Sequence, residues 1–187
     1  MVEASPTVKC VALLRGINLG STNKIKMADL ARLFANLGHT DVQTYLQSGN
    51  VVFGTADANP KNLTQPIEQA IQHELGLTVT VLLRTGPDLT TAVAANPYLS
   101  RQDDPTKLHV TFLAEAPDPD RASATRIPNG ESAEFTLAGR DVYLHCPDGY
   151  GRTKLNNAFF ERRLAVAATT RNWRTVTALH NLTAGRA

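Results

Sequence analysis

Val42-Gln43-Thr44-Tyr45-Leu46, then Gln47-Ser48-Gly49-Asn50, then Val51-Val52-Phe53: two strand-forming runs with a tight-turn sequence between them. This hairpin lies between two segments of helical periodicity. On its N-terminal side Met27, Leu30, Ala31, Phe34 and Leu37 fall on one helix face, and Gly38 supplies the stop. On its C-terminal side Ile67, Ala70, Ile71 and Leu75 repeat the spacing, with Pro66 in the first turn and Gly76 as the stop. Beyond the helices lie the apolar runs Val8–Leu14 and Thr78–Arg84, both read as strands. The order β-α-β-β-α-β in about 77 residues is the ferredoxin-like split βαβ arrangement.

The remainder repeats that order more loosely. A helix over Pro87–Asn96 precedes a strand at Lys107–Leu113 and a short helix at Asp118–Thr125. Ala133–Leu137 and Asp141–Cys146 form a hairpin about Ala138-Gly139-Arg140, and helices over Lys154–Leu164 and Arg171–Leu182 close the chain. The expected fold is α+β: two packed ferredoxin-like subdomains, the second modified with a C-terminal helix in place of its last strand. Residues 1–84 form the first and residues 85–187 the second, with the boundary between residues 85 and 106. The halves share element order without visible sequence identity.

A chain of 187 residues fits such a pair and buries a core without staples. Apolar residues at 42% and charged residues at 19% exclude wholesale disorder. Two cysteines, Cys10 and Cys146, make no disulfide framework and no metal-ligand spacing, which points to a reducing, cytoplasmic compartment. The first seven residues lack the apolar region of a secretory leader, and no apolar run is long enough to cross a membrane, so neither is expected.

The formal net charge of +2 conceals a segregation. Residues 8–54 carry +3, residues 55–148 carry −6 and residues 149–187 carry +6. Either the acidic middle neutralises the basic ends within the molecule, or the ends converge on a basic face that attracts an anionic partner.

The fold brings particular loops together. In a split βαβ sheet the loop after the first strand and the turn between the second and third strands emerge at the same end, where the first helix also begins. Here these are Arg15-Gly16-Ile17-Asn18-Leu19-Gly20, running on through Lys24 and Lys26, and Gln47-Ser48-Gly49-Asn50. Glycine-bearing turns let backbone N–H groups approach an anion, although Gly16, Gly20 and Gly49 are equally explained by turn dihedrals alone.

Three stretches near the N-terminus resemble the signatures of a bacterial family, the domain-of-unknown-function family numbered 1697. They are Leu13–Gly20, Lys24-Ile25-Lys26-Met27 and Thr44–Phe53. Gly149–Leu155 and Thr169–Val176 are similar to its closing motifs. The resemblance implies two ferredoxin-like subdomains and no particular activity.

Other motifs carry competing readings. Gly149-Tyr150-Gly151-Arg152-Thr153-Lys154 precedes a helix, with Thr153 a candidate N-cap; it is either a phosphate cradle or a plain loop and cap, and it lacks Walker A spacing. Trp173, flanked by Arg171 and Arg174, is either a packing anchor or a platform for a nucleic-acid base, and the aromatic pattern of RNA-recognition modules is missing around Tyr45 and Phe53. His39, His73, His109, His145 and His180 are scattered, so no metal site is indicated, and no cofactor motif is present.

The expected function is binding of a small anionic or phosphate-bearing, nucleotide-like ligand at a basic edge. Arg15 and Lys26 would hold the anion on a frame of Gly16 and Gly49, with Asn18, Ser48 and Asn50 giving directional hydrogen bonds and Arg152, Lys154 and Arg171 contributed by the second half. Two alternatives stay open. One is a single-stranded nucleic-acid module, and the other is an enzyme acting on a phosphorylated small molecule, for which Lys26 or Lys154 would have to supply the base.

Overall fold

The apolar run at the start of the chain becomes the central strand of a sheet. β1 (Val8–Leu14) pairs antiparallel with β3 (Asn50–Thr55) on one side and with β4 (Val81–Thr85) on the other, and β2 (Thr40–Tyr45) extends the sheet beyond β3. The computed structural model describes residues 7–57 and 59–185. Residues 1–6, within the stretch that lacks a leader's apolar region, and the charges of Glu3 and Arg186 lie outside the described residues. The sheet order β2-β3-β1-β4, all antiparallel, is the ferredoxin-like order.

Helices α1 (Met27–Asn36) and α2 (Thr64–Leu75) supply the core partners of this sheet. Period-two alternation sends Cys10, Ala12 and Leu14 of β1, Val51 and Phe53 of β3, and Val81 and Leu83 of β4 into one cluster. Leu30, Leu33 and Phe34 of α1 and Ile67 and Ile71 of α2 complete it. Phe53 is fully buried there, its ring centroid 5.2 Å from Phe34 and 4.5 Å from His39.

The second sheet repeats the plan. β5 (Leu108–Leu113) lies between β7 (Asp141–His145) and β8 (Ala168–Asn172), and β6 (Glu134–Ala138) forms the edge, giving the order β6-β7-β5-β8. Helices α4 (Pro119–Ala124) and α5 (Asn157–Leu164) stand in the crossovers. Leu113, Val142, Leu144, Phe159, Phe160 and Leu164 are the centre of this unit's core.

β8 corrects the sequence reading, which assigned Arg171 to a terminal helix and left the last strand absent. The strand is short and its composition polar, yet Ala168, Thr169 and Arg171 are buried. Their polar groups are satisfied locally. Arg171 Nη1 donates to Thr169 Oγ1 at 2.8 Å and to the Thr170 carbonyl at 2.9 Å, and the Thr170 hydroxyl meets that of Thr111 at 2.7 Å. The C-terminal helix is present as α6 (Trp173–Thr183), directly after the strand.

That helix has a counterpart in the first half, because α3 (Gly86–Ala94) follows β4 without a gap. Each half therefore runs βαββαβα. Both added helices are capped by the residue that ends the strand: Thr85 and Asp88 exchange side chain-to-backbone bonds at 2.8 and 3.2 Å, and Asn172 accepts from the Thr175 N–H at 2.8 Å. One arginine occupies the same register position in each: Arg84 lies opposite Val11, and Arg171 opposite Val110, and both are buried. By contacts the chain divides into Met1–Thr90 with Leu179–Ala187, and Thr91–Ala178, so the division falls inside α3 and inside α6. The first unit holds eight Lys/Arg against seven Asp/Glu, and the second eleven against ten. The charge segregation along the chain thus dissolves within the units.

Candidate functional site: the loop end of the first sheet

After Leu14 the chain turns away from the sheet and forms a self-bonded loop. Asn18 adopts a left-handed backbone at φ 53°, which asparagine tolerates better than most residues. Its Nδ2 donates to the Ile25 carbonyl at 3.0 Å and to the Gln47 carbonyl at 2.8 Å, and its Oδ1 accepts from the Ile25 N–H at 2.9 Å. Asn23 reaches back to the Gly16 carbonyl at 3.1 Å, and a turn closes between Leu19 and Thr22 at 3.1 Å. The loop after β1 and the β2–β3 turn are therefore tied together by one side chain.

The turn is built as tightly. Tyr45 pairs with Asn50, and Leu46 to Gly49 make the loop between them. Asn50 is fully buried, and its Nδ2 donates to the Tyr45 carbonyl at 2.8 Å and to Ser48 Oγ at 2.9 Å. Gly49 has φ 75° and its carbonyl accepts from the Leu14 N–H at 2.8 Å. A Cβ at Gly49 would stand 2.6 Å from Ile17 Cδ1 and 2.9 Å from Leu14 Cβ, so this glycine is required by close packing as well as by its dihedral.

Beside this clamp lies a cleft of about 480 Å³, lined by Asn18, Lys24, Ile25, Lys26, Asp29, Gln47 and Leu75. Asp29 is bridged to Arg32 at 2.8 Å. Lys24 and Lys26 are exposed, and their ammonium groups make no hydrogen bond or ion pair with any described residue. Of the seven residues that the sequence singled out in this half, Asn18 and Lys26 line the cleft. Arg15 is half-buried with its own partner, and its N–H donates to the Thr80 carbonyl at 2.9 Å. Gly16, Gly49 and Asn50 shape the loops, and Ser48 stands exposed on the turn. Lys24 and Gln47 belong to the quoted loops, whereas the sequence marks Leu75 only as part of a helix face and gives no sign of Asp29 at the site.

In the second unit Arg152 and Lys154 line a smaller cavity of about 200 Å³, together with Glu131 and Asp148. The glycine-bearing loop there does hold an anion, and it is Glu131. One carboxylate oxygen accepts from the Lys154 N–H at 2.6 Å and the other from the Ala133 N–H at 2.9 Å. Burial pushes the Glu131 carboxyl up, but those two N–H groups and the Thr153 hydroxyl outweigh it and hold it below the usual carboxylate range. Lys154 Nζ donates to the Asn129 carbonyl at 3.2 Å. Thr153 is not the cap of α5; Asn156 is, accepting from the Phe159 N–H at 3.0 Å.

Arg171 lies inside β8, away from that cavity's lining, and burial pushes its guanidinium down to about 10, which leaves it charged at neutral pH. Trp173 is 7% exposed and Phe53 is buried, so neither offers an open ring for a base to stack on. Cys10 and Cys146 are free and buried, and burial pushes both thiols up to about 11. Among the described residues no cluster of His, Cys, Asp and Glu could hold a metal ion, and no helix is long and apolar enough to cross a membrane.

The solved structure of a conserved bacterial protein from Streptococcus pneumoniae is similar over 96% of this chain and 99% of its own, with a TM-score of 0.75 at 21% identity, a likeness of fold alone. No curated protein matches the sequence. A family model described as a protein of unknown function, DUF1697, matches residues 8–143 and so includes the whole clamp and cleft, but stops short of the Gly149–Leu155 and Thr169–Val176 stretches. The chain belongs to that family.

Proposed function

We propose that the cleft at the loop end of the first sheet binds a small anionic ligand bearing a phosphate or similar group. The observation that carries this reading is the presence of two uncommitted ammonium groups, Lys24 and Lys26, on one cleft whose walls are held by the Asn18 clamp. An ammonium without an internal partner breaks no ion pair of the protein on meeting an anion, and a preformed wall reduces the ordering that binding requires. The N-terminus of α1, at Met27, adds partial positive charge at the same place. In this reading Lys24 and Lys26 hold the charge, Ser48 and the Gln47 side chain offer hydrogen bonds from the turn, and Asn18, Gly49 and Asn50 keep the two loops in register. The free, buried thiols of Cys10 and Cys146 fit a protein working in the reducing cytoplasm.

The test is a panel of inorganic phosphate, pyrophosphate and mononucleotides read by thermal shift and calorimetry. Saturation at 100 times Kd adds about 2.7 kcal/mol to stability, enough to read easily. Lys24→Ala and Lys26→Ala should each weaken binding about tenfold or more, the worth of one charge-assisted hydrogen bond. A melting point unmoved by every member of the panel would sink the proposal.

A further inference from the structure

Leu19 and Leu46 are the most exposed large apolar side chains among the described residues, at 66% and 55%. Each is the chain neighbour of a residue that lines the cleft, Leu19 of Asn18 and Leu46 of Gln47, so their backbones flank its edge. Inside it, Ile25 and Leu75 line the wall beside the two lysines. Leu37, another exposed apolar residue, follows the C-terminal end of α1 and so lies away from this rim.

Leu46 breaks a second rule. Its φ is 58°, in the left-handed region where a leucine is disfavoured and glycine or asparagine fits. A side chain that is strained in its backbone and leaves its hydrocarbon in water contributes little to the fold of the isolated chain. Strain and exposed hydrocarbon at one position beside a cationic cleft suit contact with something apolar that arrives with a negative charge.

We infer that the ligand of this cleft is an amphiphile. Its anionic head sits between Lys24 and Lys26, and its hydrocarbon part lies over Ile25 and Leu75 and out across Leu19 and Leu46. The inference rests on the anion-binding reading above and names the chemical class of the ligand. A free alkyl phosphate and an anionic lipid in a bilayer share this chemistry, so the experiment must separate them.

Calorimetry on the full chain compares inorganic phosphate with octyl phosphate held below its micelle concentration. Octyl phosphate should bind about tenfold tighter or better, the effect of covering a few tens of Å² of apolar surface. Leu19→Ser and Leu46→Asn should remove most of that gain while leaving inorganic phosphate unchanged. Asparagine suits the left-handed backbone, so Leu46→Asn should fold at least as well as the parent. The double variant Lys24→Ala/Lys26→Ala should lose both ligands. Equal affinity for the two phosphates overturns the amphiphile and leaves the anion site standing. Failure of both to bind, or octyl phosphate binding untouched by the lysine substitutions, overturns both readings. Tighter binding of monomeric octyl phosphate together with co-sedimentation on phosphatidylglycerol but not phosphatidylcholine vesicles supports the amphiphile and assigns it to a bilayer. Binding of octyl phosphate without co-sedimentation supports it as a free molecule.

Discussion

Asn18 donates to the Gln47 carbonyl at 2.8 Å, and this bond joins the loop after β1 to the turn between β2 and β3. The same side chain also closes its own loop twice on Ile25. All three bonds come from one amide group, so no other residue type reproduces the set at this position.

Asn18→Ala is therefore expected to destabilise the first unit by about 3 kcal/mol, from three lost hydrogen bonds and a left-handed alanine. Asn18→Asp should be nearly as harmful, since a carboxylate cannot donate to the carbonyls of Ile25 and Gln47. Denaturant unfolding of each variant measures the difference, and a loss under 1 kcal/mol for alanine would show that the clamp is ornamental.

The glycines of these loops should rank by what surrounds them. At Gly49 an added Cβ meets Ile17 and Leu14 closer than 3 Å, in addition to the positive φ. Gly16 and Gly20 also have positive φ, but nothing lies within 4 Å of an added Cβ. Gly49→Ala should then cost about 3 kcal/mol, and Gly16→Ala and Gly20→Ala about 1 kcal/mol each. Equal losses at the three positions would contradict the packing argument.

Leu46→Gly should stabilise the protein by about 1 kcal/mol, because glycine removes the left-handed penalty and little packing is lost from a side chain this exposed. The thermal midpoint of the variant should rise. A fall would mean that Leu46 packs more than its exposure indicates.

His109 sets an acid limit on the second unit. Its ring is 8% exposed, stacks on Tyr150 at 4.7 Å, and leaves Nδ1 buried without a partner. Burial pushes its pKa down to about 4. The unfolded chain then binds the proton more readily than the folded one, so stability rises with pH across this window. The contribution, about 3 kcal/mol, is present above about pH 6.5 and is lost as pH falls through about 4. His39, also lowered by burial, acts in the same direction. Asp104, Glu131 and Glu134 are shifted down as well, and their contributions disappear only below the ordinary carboxylate range. His109→Phe keeps the ring stacked on Tyr150 and should flatten the slope of unfolding free energy between pH 6.5 and 4; an unchanged slope would exclude His109 as its source.

The elements of the first sheet were legible because burial imposed a period on them. Cys10, Ala12 and Leu14 point to one core while Leu30, Leu33 and Phe34 repeat at helical spacing to meet them. β8 was not legible, because Thr169 and Arg171 are buried, and Thr170 half-buried, through hydrogen bonds rather than through apolar contact. Polar residues followed by a helix read as the start of that helix. The candidate site was half legible. Asn18 and Lys26 could be placed at the loop end by topology alone, but Leu75 comes from α2, and Leu46 stands exposed on a left-handed dihedral that leucine seldom adopts.

Sequence by itself determined the element order, the hairpin at its centre and which loops meet, since periodicity and turn chemistry are local properties. Tertiary structure alone decided which charges stay available. Glu131 reaches the 149–154 loop from about twenty residues away and takes up its N–H groups, whereas Lys24 and Lys26 form no ion pair among the described residues, Asp29 of the same cleft being bridged to Arg32. Electrostatic partners are chosen by distance in space, and the segment charges of +3, −6 and +6 carry no information about that distance.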